Sequence, residues 1–268
     1  MFNIESLSLN TLEISQKIIE FISIEVKKSG LNGAIIAVSG GVDSALTLSL
    51  AVKALGSDRV KAVTIPERDI TPKSDITDVI RLADQFDVTC DIVEITPTLK
   101  LLSEILPFYD PANKLATGNL KSRTRLIISY HYANALNVMV IGSSNKAELL
   151  TGYFTKYGDG GVDLMPLGDL YKCQVRQLAY HMEVPQEIID KTPTAGLWPG
   201  QSDEADMGAS YDTIDLILWG HENGYSPQEI SSGIEVNLGL VESILARVKS
   251  NEHKRRLPLI LRLGSFFS

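Results

Sequence analysis

Six consecutive small or acidic residues follow an apolar stretch and precede a helical pattern: Ser39, Gly40, Gly41, Val42, Asp43 and Ser44. The glycines allow the backbone to approach a phosphate closely, while serine hydroxyls and the first amides of the next helix donate hydrogen bonds to an anion. Asp43 adds a carboxylate that suits magnesium. The run is neither a GxxxxGK[ST] phosphate loop nor a GxGxxG dinucleotide fingerprint. A simple strand-to-helix turn is the alternative, but the whole string in this position favours a phosphate site.

Four later segments carry polar residues that helix or strand packing does not require: 119–123, 142–148, 154–161 and 193–204. Within the first segment, Asn119 and Arg123 lie four residues apart on one face of a predicted helix, so both can hold one anionic ligand. A solvated helix residue is the alternative reading of Glu148, and taken alone Lys172 is equally well read in that way. Their interpretation therefore depends on the segments around them.

The first string resembles the pyrophosphate-binding loop of the N-type ATP pyrophosphatases, which split ATP into AMP and pyrophosphate to activate an oxygen atom for attack by nitrogen or sulfur. With the four later segments, and with His253, Lys254 and Pro258, it resembles the NAD synthetase family. The resemblance implies the last step of NAD biosynthesis. In that step ammonia amidates nicotinic acid adenine dinucleotide (deamido-NAD) through an adenylated carboxylate, giving NAD, AMP and pyrophosphate.

The resemblance implies a set of residues that bind ATP and its phosphates: Ser39, Gly40, Gly41, Val42, Asp43, Ser44, Lys172 and Thr194. Asp43 and Glu148 are the implied ligands of Mg²⁺, which prefers a few hard oxygen ligands. Lys172 and Thr194 are implied to contact the β- and γ-phosphates, where they stabilise charge on departing pyrophosphate.

The resemblance also implies a second set of residues, which bind deamido-NAD: Asn119, Arg123, Lys156, Asp159, His253 and Lys254. Asp159 matches the family residue beside the reacting carboxylate, where it orients ammonia or takes its proton. A turn-forming loop residue is the alternative reading of Asp159. Together with Asp43, Glu148 and Lys172, Asp159 forms the implied catalytic set.

Two further segments carry weaker signals. After the second predicted strand, Thr64 departs from the basic residue of some family members, and Arg68 is the alternative for contacting adenine. Arg125 is expected to be structural. Residues 192–208 are rich in Pro, Gly, Ser and Asp, which predicts a mobile segment without regular structure that closes over the substrates. Trp198 is either an apolar lid or an anchor of this segment to the core.

The elements that position these residues follow from hydrophobic periodicity. The apolar run 34–38 is typical of a strand buried on both faces of a parallel sheet. Further strands are predicted at 60–65, 88–95 and 138–141, and helices at 11–28, 45–55, 74–86 (with a Ser cap), 98–106, 120–136, 170–181, 210–223 and 236–250. The alternation predicts a doubly wound, mostly parallel α/β sheet of five strands with helices on both faces. The resemblance implies the same Rossmann-like, adenine nucleotide α-hydrolase-like fold, as a single domain over 1–268.

Composition excludes several classes of function. Apolar residues make up 44% and charged residues 22% of the chain, as in a packed globular protein. A net charge of −8 disfavours nucleic-acid binding. Cys90 and Cys173, without CxxC spacing, argue against a disulfide framework or a zinc site. With no export signal and no long apolar span, the sequence predicts a cytoplasmic protein that does not bind membranes.

Assembly and nitrogen source are expectations from the resemblance. The family forms homodimers with the dinucleotide near the interface. Glutamine-dependent members carry a glutaminase domain ahead of the first strand, and here that strand is predicted to begin at Ala34, so free ammonia is the expected nitrogen source. The rival readings are another ATP pyrophosphatase, such as a tRNA-modifying enzyme, and a nucleotide sensor without turnover. Acidic charge disfavours the first, and two carboxylates with Lys172 exceed the needs of the second.

Overall fold

The computed structural model describes residues 2–261 and contains a four-stranded parallel sheet. The strands are β1 (Ala34–Ala37), β2 (Val60–Thr64), β3 (Cys90–Ile92) and β4 (Met139–Ile141), in the order β3-β2-β1-β4. In register, Ala34 of β1 lies beside Val60 of β2 on one side and Met139 of β4 on the other. The chain reverses its winding direction at β1, so the carboxyl end of β1 is the switch point where such sheets bind ligands.

Twelve α-helices connect and cover these strands in the described residues: α1 (Thr11–Ser29), α2 (Val42–Leu55), α3 (Lys73–Gln85), α4 (Thr96–Ile105), α5 (Lys114–Leu136), α6 (Lys146–Thr151), α7 (Lys172–His181), α8 (Gln186–Ile189), α9 (Asp203–Met207), α10 (Tyr211–Glu222), α11 (Pro227–Gly233) and α12 (Leu238–Ser250). Short 3₁₀ turns occur at Ile4–Leu7, Ser57–Arg59 and Glu252–Arg255. No helix within residues 2–261 is long and apolar enough to cross a membrane.

The central strand is buried on both faces, as the apolar run predicts. Ile36 packs into a cluster with residues of α1, α2 and α7, whereas Ile35 packs on the opposite face with Ala133 of α5. Both isoleucines are fully buried. A third cluster, which includes Tyr211 of α10, joins α10 to α12 beside the sheet. The doubly wound α/β architecture is thus confirmed.

The prediction of five strands is wrong for the described residues. Leu164 lies beside β4 and forms a single parallel bridge with Ile141. A strand does not develop there because the Asp163 side chain accepts the amide hydrogen of Val140 at 2.9 Å, in the place of a strand carbonyl. The segment therefore caps the edge of the sheet instead of extending it.

Several predicted boundaries also differ. β3 is shorter than 88–95, since the Val88 amide bonds back to Ala83 at the end of α3. Ser74 does not cap α3: Pro72 is the N-cap residue and provides no side-chain hydrogen bond. Helix α5 begins at Lys114, six residues early, because Asn113 caps it. The 192–208 segment contains the unpredicted helix α9.

Candidate active site

The loop predicted to bind phosphate, residues 39–44, lies between β1 and the first turn of α2, at the carboxyl edge of the sheet. Gly40 has a φ of +86°, and a Cβ there would stand 3.0 Å from the main-chain oxygen of Asp75, so the turn requires glycine. The Ser44 hydroxyl lies 3.1 Å from the donating amide of Ser39 and donates to the Gly41 carbonyl at 3.0 Å. These contacts fix the loop shape without a ligand.

The first turn of α2 directs its amide groups toward this loop. Gly41 is the N-cap residue and provides no side-chain hydrogen bond to them. The Val42 side chain is buried in the core, so only the backbone of Val42 is available to a phosphate. A helix N-terminus whose amides lack a side-chain cap is suited to binding an anion.

Beyond the loop, one lysine and three carboxylates form an ion cluster: Asp43, Glu148, Lys172 and Asp203. Lys172, the first residue of α7, is 2% exposed and donates to Asp43. The side-chain amide of Asn145 donates to Asp43 Oδ1 and to Glu148 Oε1, at 2.9 Å each. Asn145 also caps α6, accepting from the Glu148 amide at 3.0 Å. One asparagine therefore holds together two carboxylates from different elements.

Tyr211 of α10 borders the ion cluster on its other side. Its hydroxyl lies 3.1 Å from Asp203 Oδ2 and 3.3 Å from Glu148 Oε1. Its ring centroid lies 4.9 Å from Lys172 Nζ, within the range of a cation–π contact. Asp203 is buried, and its Oδ1 accepts no hydrogen bond from the described residues.

The cluster changes how its members hold protons. Burial raises the pKa of Glu148 well above its ordinary value, and the charge of Asp43 raises it further. Burial by itself lowers the pKa of Lys172, but the charges of Asp43 and Glu148 outweigh this effect, so the pKa is raised. Burial also raises the pKa of Asp203. Lys172 therefore stays protonated, and its carboxylate neighbours favour a further cation.

The donor set of the ion cluster fits magnesium. Asp43 and Glu148 accept hydrogen bonds from one nitrogen of Asn145, so their oxygens face the same small volume. Asp203 Oδ1 adds a buried oxygen without a hydrogen-bond partner in residues 2–261. In that part of the chain, no group of three or more His, Cys, Asp or Glu side chains is placed to hold a metal ion. Magnesium commonly takes one or two carboxylates and completes its shell with phosphate and water.

The residues predicted to bind deamido-NAD meet around the loop 152–161. Asn119 Oδ1 accepts from the Thr155 hydroxyl at 2.7 Å. The Arg123 guanidinium donates to the Lys156 carbonyl at 3.1 Å, and Lys156 Nζ donates to the His253 carbonyl at 2.6 Å. Helix α5, this loop and the C-terminal 3₁₀ turn thus form one surface.

Lys254 lies on the same surface. Its ammonium donates to the carbonyls of Gly152 and Phe154, at 2.7 and 3.0 Å. Burial, together with repulsion from Arg247 and Arg123, lowers the pKa of Lys254. The side chain of His253 is exposed. These cations contact neutral carbonyl groups, so their charge remains available to an anionic ligand.

Asp159 is held by one of its two carboxylate oxygens. Oδ1 accepts from the Ser122 hydroxyl at 2.6 Å and from the Thr155 amide at 3.0 Å. Oδ2 accepts none of the hydrogen bonds among the described residues, and the residue is exposed. One oxygen orients the side chain, and the other is free to contact a ligand.

The 192–208 segment lies against α5. The Lys121 ammonium donates to the Leu197 carbonyl at 2.7 Å, and Lys114 Nζ lies 5.7 Å from the Trp198 ring centroid. Trp198 thus acts as an anchor in this structure. Thr194 is exposed and accepts from the Gly196 amide at 3.1 Å, and no hydrogen bond within 2–261 joins it to the ion cluster. Its contact with phosphate stays a prediction.

The segment predicted to contact adenine is partly occupied by internal contacts. Thr64 is buried, and Arg68 forms an ion pair of 2.9 Å with Glu94. Arg125 donates to the Ile65 carbonyl at 3.0 Å, a contact that ties α5 to the end of β2. The contact of Arg68 with adenine therefore stays a prediction.

Three residues of the site are not predicted from the sequence: Asn145, Asp203 and Tyr211. Asn145 has a visible signal, because Asn followed three residues later by Glu forms a capping box. Asp203 follows Ser202 at the start of a five-residue helix and gives no distinct pattern. Tyr211 belongs to an apolar helix face and is indistinguishable there from a core aromatic.

The fold and the site are those expected of an α/β enzyme that uses ATP, with the loop predicted to bind phosphate at the sheet edge and a buried lysine–carboxylate cluster beside it. A family model described as NAD synthase matches residues 14–258. The chain belongs to the NAD synthase family and is a carbon–nitrogen ligase.

Individual relatives agree with this assignment. An NH(3)-dependent NAD(+) synthetase from Methanosarcina mazei is 44% identical over 247 residues, which are 92% of this chain and 96% of the relative. An NMN synthetase from Francisella tularensis superposes with a TM-score of 0.83 at 33% identity, covering 95% of this chain and 99% of the other. The NH3-dependent NAD synthetase from Campylobacter jejuni has a TM-score of 0.80 at 29% identity, covering 95% and 100%.

Proposed function

We infer that this chain makes NAD from deamido-NAD, ammonia and ATP. An oxygen of the nicotinate carboxylate attacks the α-phosphorus of ATP, the bond to the bridging oxygen breaks, and pyrophosphate leaves. Ammonia then attacks the carbonyl carbon of the mixed anhydride, AMP leaves, and the nitrogen loses a proton. The observation that carries this proposal is the 44% identity to a curated ammonia-dependent synthetase over nearly the whole chain.

At the ATP end, the backbone amides at the start of α2 bind phosphate oxygens, and Ser39 and Ser44 add hydroxyl donors. Lys172 stabilises the charge that develops on pyrophosphate as it departs, because a buried cation acts strongly in a site that excludes water. Thr194 reaches the same phosphates when its segment rearranges. Stabilisation of the negative charge that develops on the leaving group is what accelerates the first step.

Magnesium is the metal we propose, held by Asp43 and Glu148. When bound, it withdraws charge from phosphate oxygens and orients them. The Asn145 side chain positions both carboxylates for this role. Burial and the charge of Asp43 raise the pKa of Glu148, and a bound metal ion would favour its charged form.

At the dinucleotide end, Asn119, Arg123, Lys156, His253 and Lys254 bind deamido-NAD. Their cations face an anionic ligand while their hydrogen bonds to carbonyl groups fix the loop 152–161. Asp159, in that loop, takes a proton from the attacking ammonia through its free oxygen. No side chain forms a covalent intermediate, since orientation of two substrates in one cleft removes most of the entropic cost of the encounter.

Product analysis tests the reaction. Purified protein is given Mg²⁺, ATP, ammonium and deamido-NAD, and NAD and AMP are measured. Equal amounts of both, formed only with all four components, are expected. AMP without NAD would overturn the substrate assignment, and no ATP cleavage with any acceptor would favour a nucleotide sensor. Nicotinic acid mononucleotide is run in parallel, because one structural neighbour is an NMN synthetase. Faster amidation of the mononucleotide would make it the preferred substrate.

We propose a homodimer formed through α4 and α5. These helices and their connection expose large apolar side chains: Leu101, Ile105, Phe108, Leu115 and Ile127. A surface cavity of about 260 Å³ lies between the connection and α5 and is lined by Phe108, Leu120 and Arg123. Exposed apolar surface beside a cavity favours a protein interface at this face. Because Arg123 lines the cavity, the proposed dimer has the dinucleotide near the partner subunit.

Ile127→Glu is expected to convert the dimer to a monomer, because it introduces a charge into an interface that is largely apolar. Mass measured by light scattering after gel filtration checks this. Leu12→Glu, the same change at an exposed leucine of α1, is the control and is expected to leave the mass unchanged. A wild-type monomer, or an Ile127→Glu dimer, would contradict the proposal.

We also propose that the reaction takes place in the cytoplasm. Cys90 is half-buried and Cys173 is buried, and both are free thiols. Free thiols are maintained in a reducing compartment. Fractionation of cells that produce the tagged chain tests this location.

A further inference from the structure

Asp215 of α10 is a fully buried carboxylate outside the ion cluster. Its Oδ2 accepts a hydrogen bond from the Cys173 amide at 2.8 Å. Its Oδ1 has no hydrogen-bond partner among residues 2–261. A buried carboxylate is costly, and burial raises the pKa of Asp215 to about 6. At neutral pH the residue therefore weakens the fold relative to a neutral side chain of the same shape.

The contact lies at the start of α7. Lys172 and Cys173 are the first two residues of this helix, and Tyr171 is the N-cap residue. Tyr171 does not cap the helix with its side chain, because its hydroxyl donates to Glu222. Asp215 satisfies the free amide instead, from a residue 42 positions later in the chain. A carboxylate at a helix N-terminus also interacts favourably with the helix dipole.

One face of α10 thus lies against Lys172 in two places, at its ammonium group and next to its backbone. Tyr211 and Asp215 are four residues apart and share a helix face. The Tyr211 ring contacts the Lys172 ammonium, and Asp215 holds the amide next to the Lys172 backbone. A lysine side chain is flexible by itself. The direction in which the Lys172 ammonium points therefore depends on the position of the first turn of α7.

We propose that Asp215 is a positioning residue for the reaction: it fixes the first turn of α7 and so directs the Lys172 ammonium at the phosphates of ATP. This rests on the proposed role of Lys172. Asp215 itself does not touch the substrates. The buried carboxylate is retained, despite its cost in stability, because the reaction depends on the position of Lys172.

Two variants and one control test this role. Asp215→Ala removes the acceptor, while Asp215→Asn keeps an acceptor for the Cys173 amide and removes the charge. Glu187→Gln is the control, since Glu187 is an exposed carboxylate of α8. For Asp215→Ala we expect kcat to fall about 10- to 100-fold and KM for ATP to rise, with KM for deamido-NAD within about twofold of wild type. Asp215→Asn is expected to recover most of the loss, and Glu187→Gln to behave as wild type.

A double-mutant cycle separates positioning from a general structural role. If Asp215 acts through Lys172, adding Asp215→Ala to Lys172→Met changes kcat by less than about twofold. Additive losses, or wild-type kcat in folded Asp215→Ala, would overturn the proposal. If Asp215→Ala does not fold, the same cycle is run with Asp215→Leu, which removes the acceptor and the charge but keeps a side chain of similar volume; additive losses, or wild-type kcat in the folded variant, would overturn the proposal. An unaffected Lys172→Met enzyme would instead remove the role of Lys172 on which the proposal rests.

Discussion

The two ends of the site are held together by opposite kinds of contact. At the ATP end, charged side chains bond to one another, with Lys172 buried against Asp43. At the dinucleotide end, Arg123, Lys156 and Lys254 donate to backbone carbonyls. Carboxylates outnumber cations at the first end, which suits a divalent metal. The cations of the second end are not neutralised by these contacts, which suits an anionic ligand.

The two ends also differ in how a mutation there is expected to affect the stability of the protein. The ATP end is built by the core elements β1, α2, α6 and α7, and its carboxylates lose solvation when the protein folds. The proposed dinucleotide end is built by α5, the loop 152–161 and the C-terminal 3₁₀ turn, and Asp159 and His253 there are exposed. We therefore expect changes at the first end to affect turnover and stability in opposite directions, and changes at the second end to affect mainly the affinity for one substrate.

Asp43→Asn is expected to have the largest effect. It removes the partner of Lys172 and one proposed metal ligand, so kcat should fall by about 10³-fold or more. Steady-state NAD formation at saturating substrates checks this. Asp58→Asn, an exposed position just beyond the end of α2, is the control. Full activity of Asp43→Asn would show that the ion cluster does not take part in the reaction.

The two loop glycines separate ligand contact from folding. At Gly41 a Cβ would meet only Ser39 Oγ, at 3.5 Å, which is ordinary contact. Gly41→Ala should therefore fold normally but obstruct a phosphate, raising KM for ATP about tenfold or more. At Gly40, the positive φ and the nearby Asp75 backbone penalise any side chain, so Gly40→Ala should lose about 1–3 kcal/mol of stability.

Thermal unfolding together with ATP titration distinguishes these two variants. If Gly41→Ala unfolds at a lower temperature than Gly40→Ala, the assignment of the folding role to Gly40 is wrong. If Gly41→Ala binds ATP as wild type does, the loop does not hold phosphate through its backbone at Gly41.

Glu148→Gln is expected to have the smallest effect on stability, and one with an unusual sign. Since the pKa of Glu148 is raised in the folded protein, wild-type stability decreases as pH rises above the ordinary pKa of 4.5. The variant has no such group. Without ATP and metal, its Tm relative to wild type should therefore rise as the pH is raised from 4.5, by about 2–4 °C for each kcal/mol.

Activity of Glu148→Gln should fall while this relative stability rises. Glu20→Gln, at an exposed glutamate of α1, provides the control. A relative Tm that drops with increasing pH would show that the charged form of Glu148 is favoured by its surroundings.

At the ATP end, the sequence predicts the run of residues that would bind phosphate, but it does not predict the residues that pack around the ion cluster. The run from Ser39 to Ser44 is contiguous, so composition and position suffice to find it. Asp203 and Tyr211 reach the same cluster from a distant part of the chain, and nothing local indicates that α10 packs behind Lys172. Fold class follows from the apolar run of β1. The missing fifth strand depends on the Asp163 side chain, whose bond to Val140 no periodicity reveals.

At the dinucleotide end, too, the sequence predicts some residues of the site and misses the contacts that position them. Asn119 and Arg123 are recognisable because they share a helix face. The start of α5 is not found, since the cap at Asn113 lies in a polar stretch that resembles a loop. The contact of Trp198 with this helix depends on the fold of residues 192–208, which composition describes only as irregular.

Calorimetric binding of each substrate to Lys172→Ala and Arg123→Ala tests the proposed division of the site into an ATP end and a dinucleotide end. We predict a crossed result: Lys172→Ala loses affinity for ATP in the presence of Mg²⁺ and keeps its affinity for deamido-NAD, while Arg123→Ala does the reverse. Equal loss of both affinities in each variant, or the opposite pairing, would contradict the division of the site into these two ends.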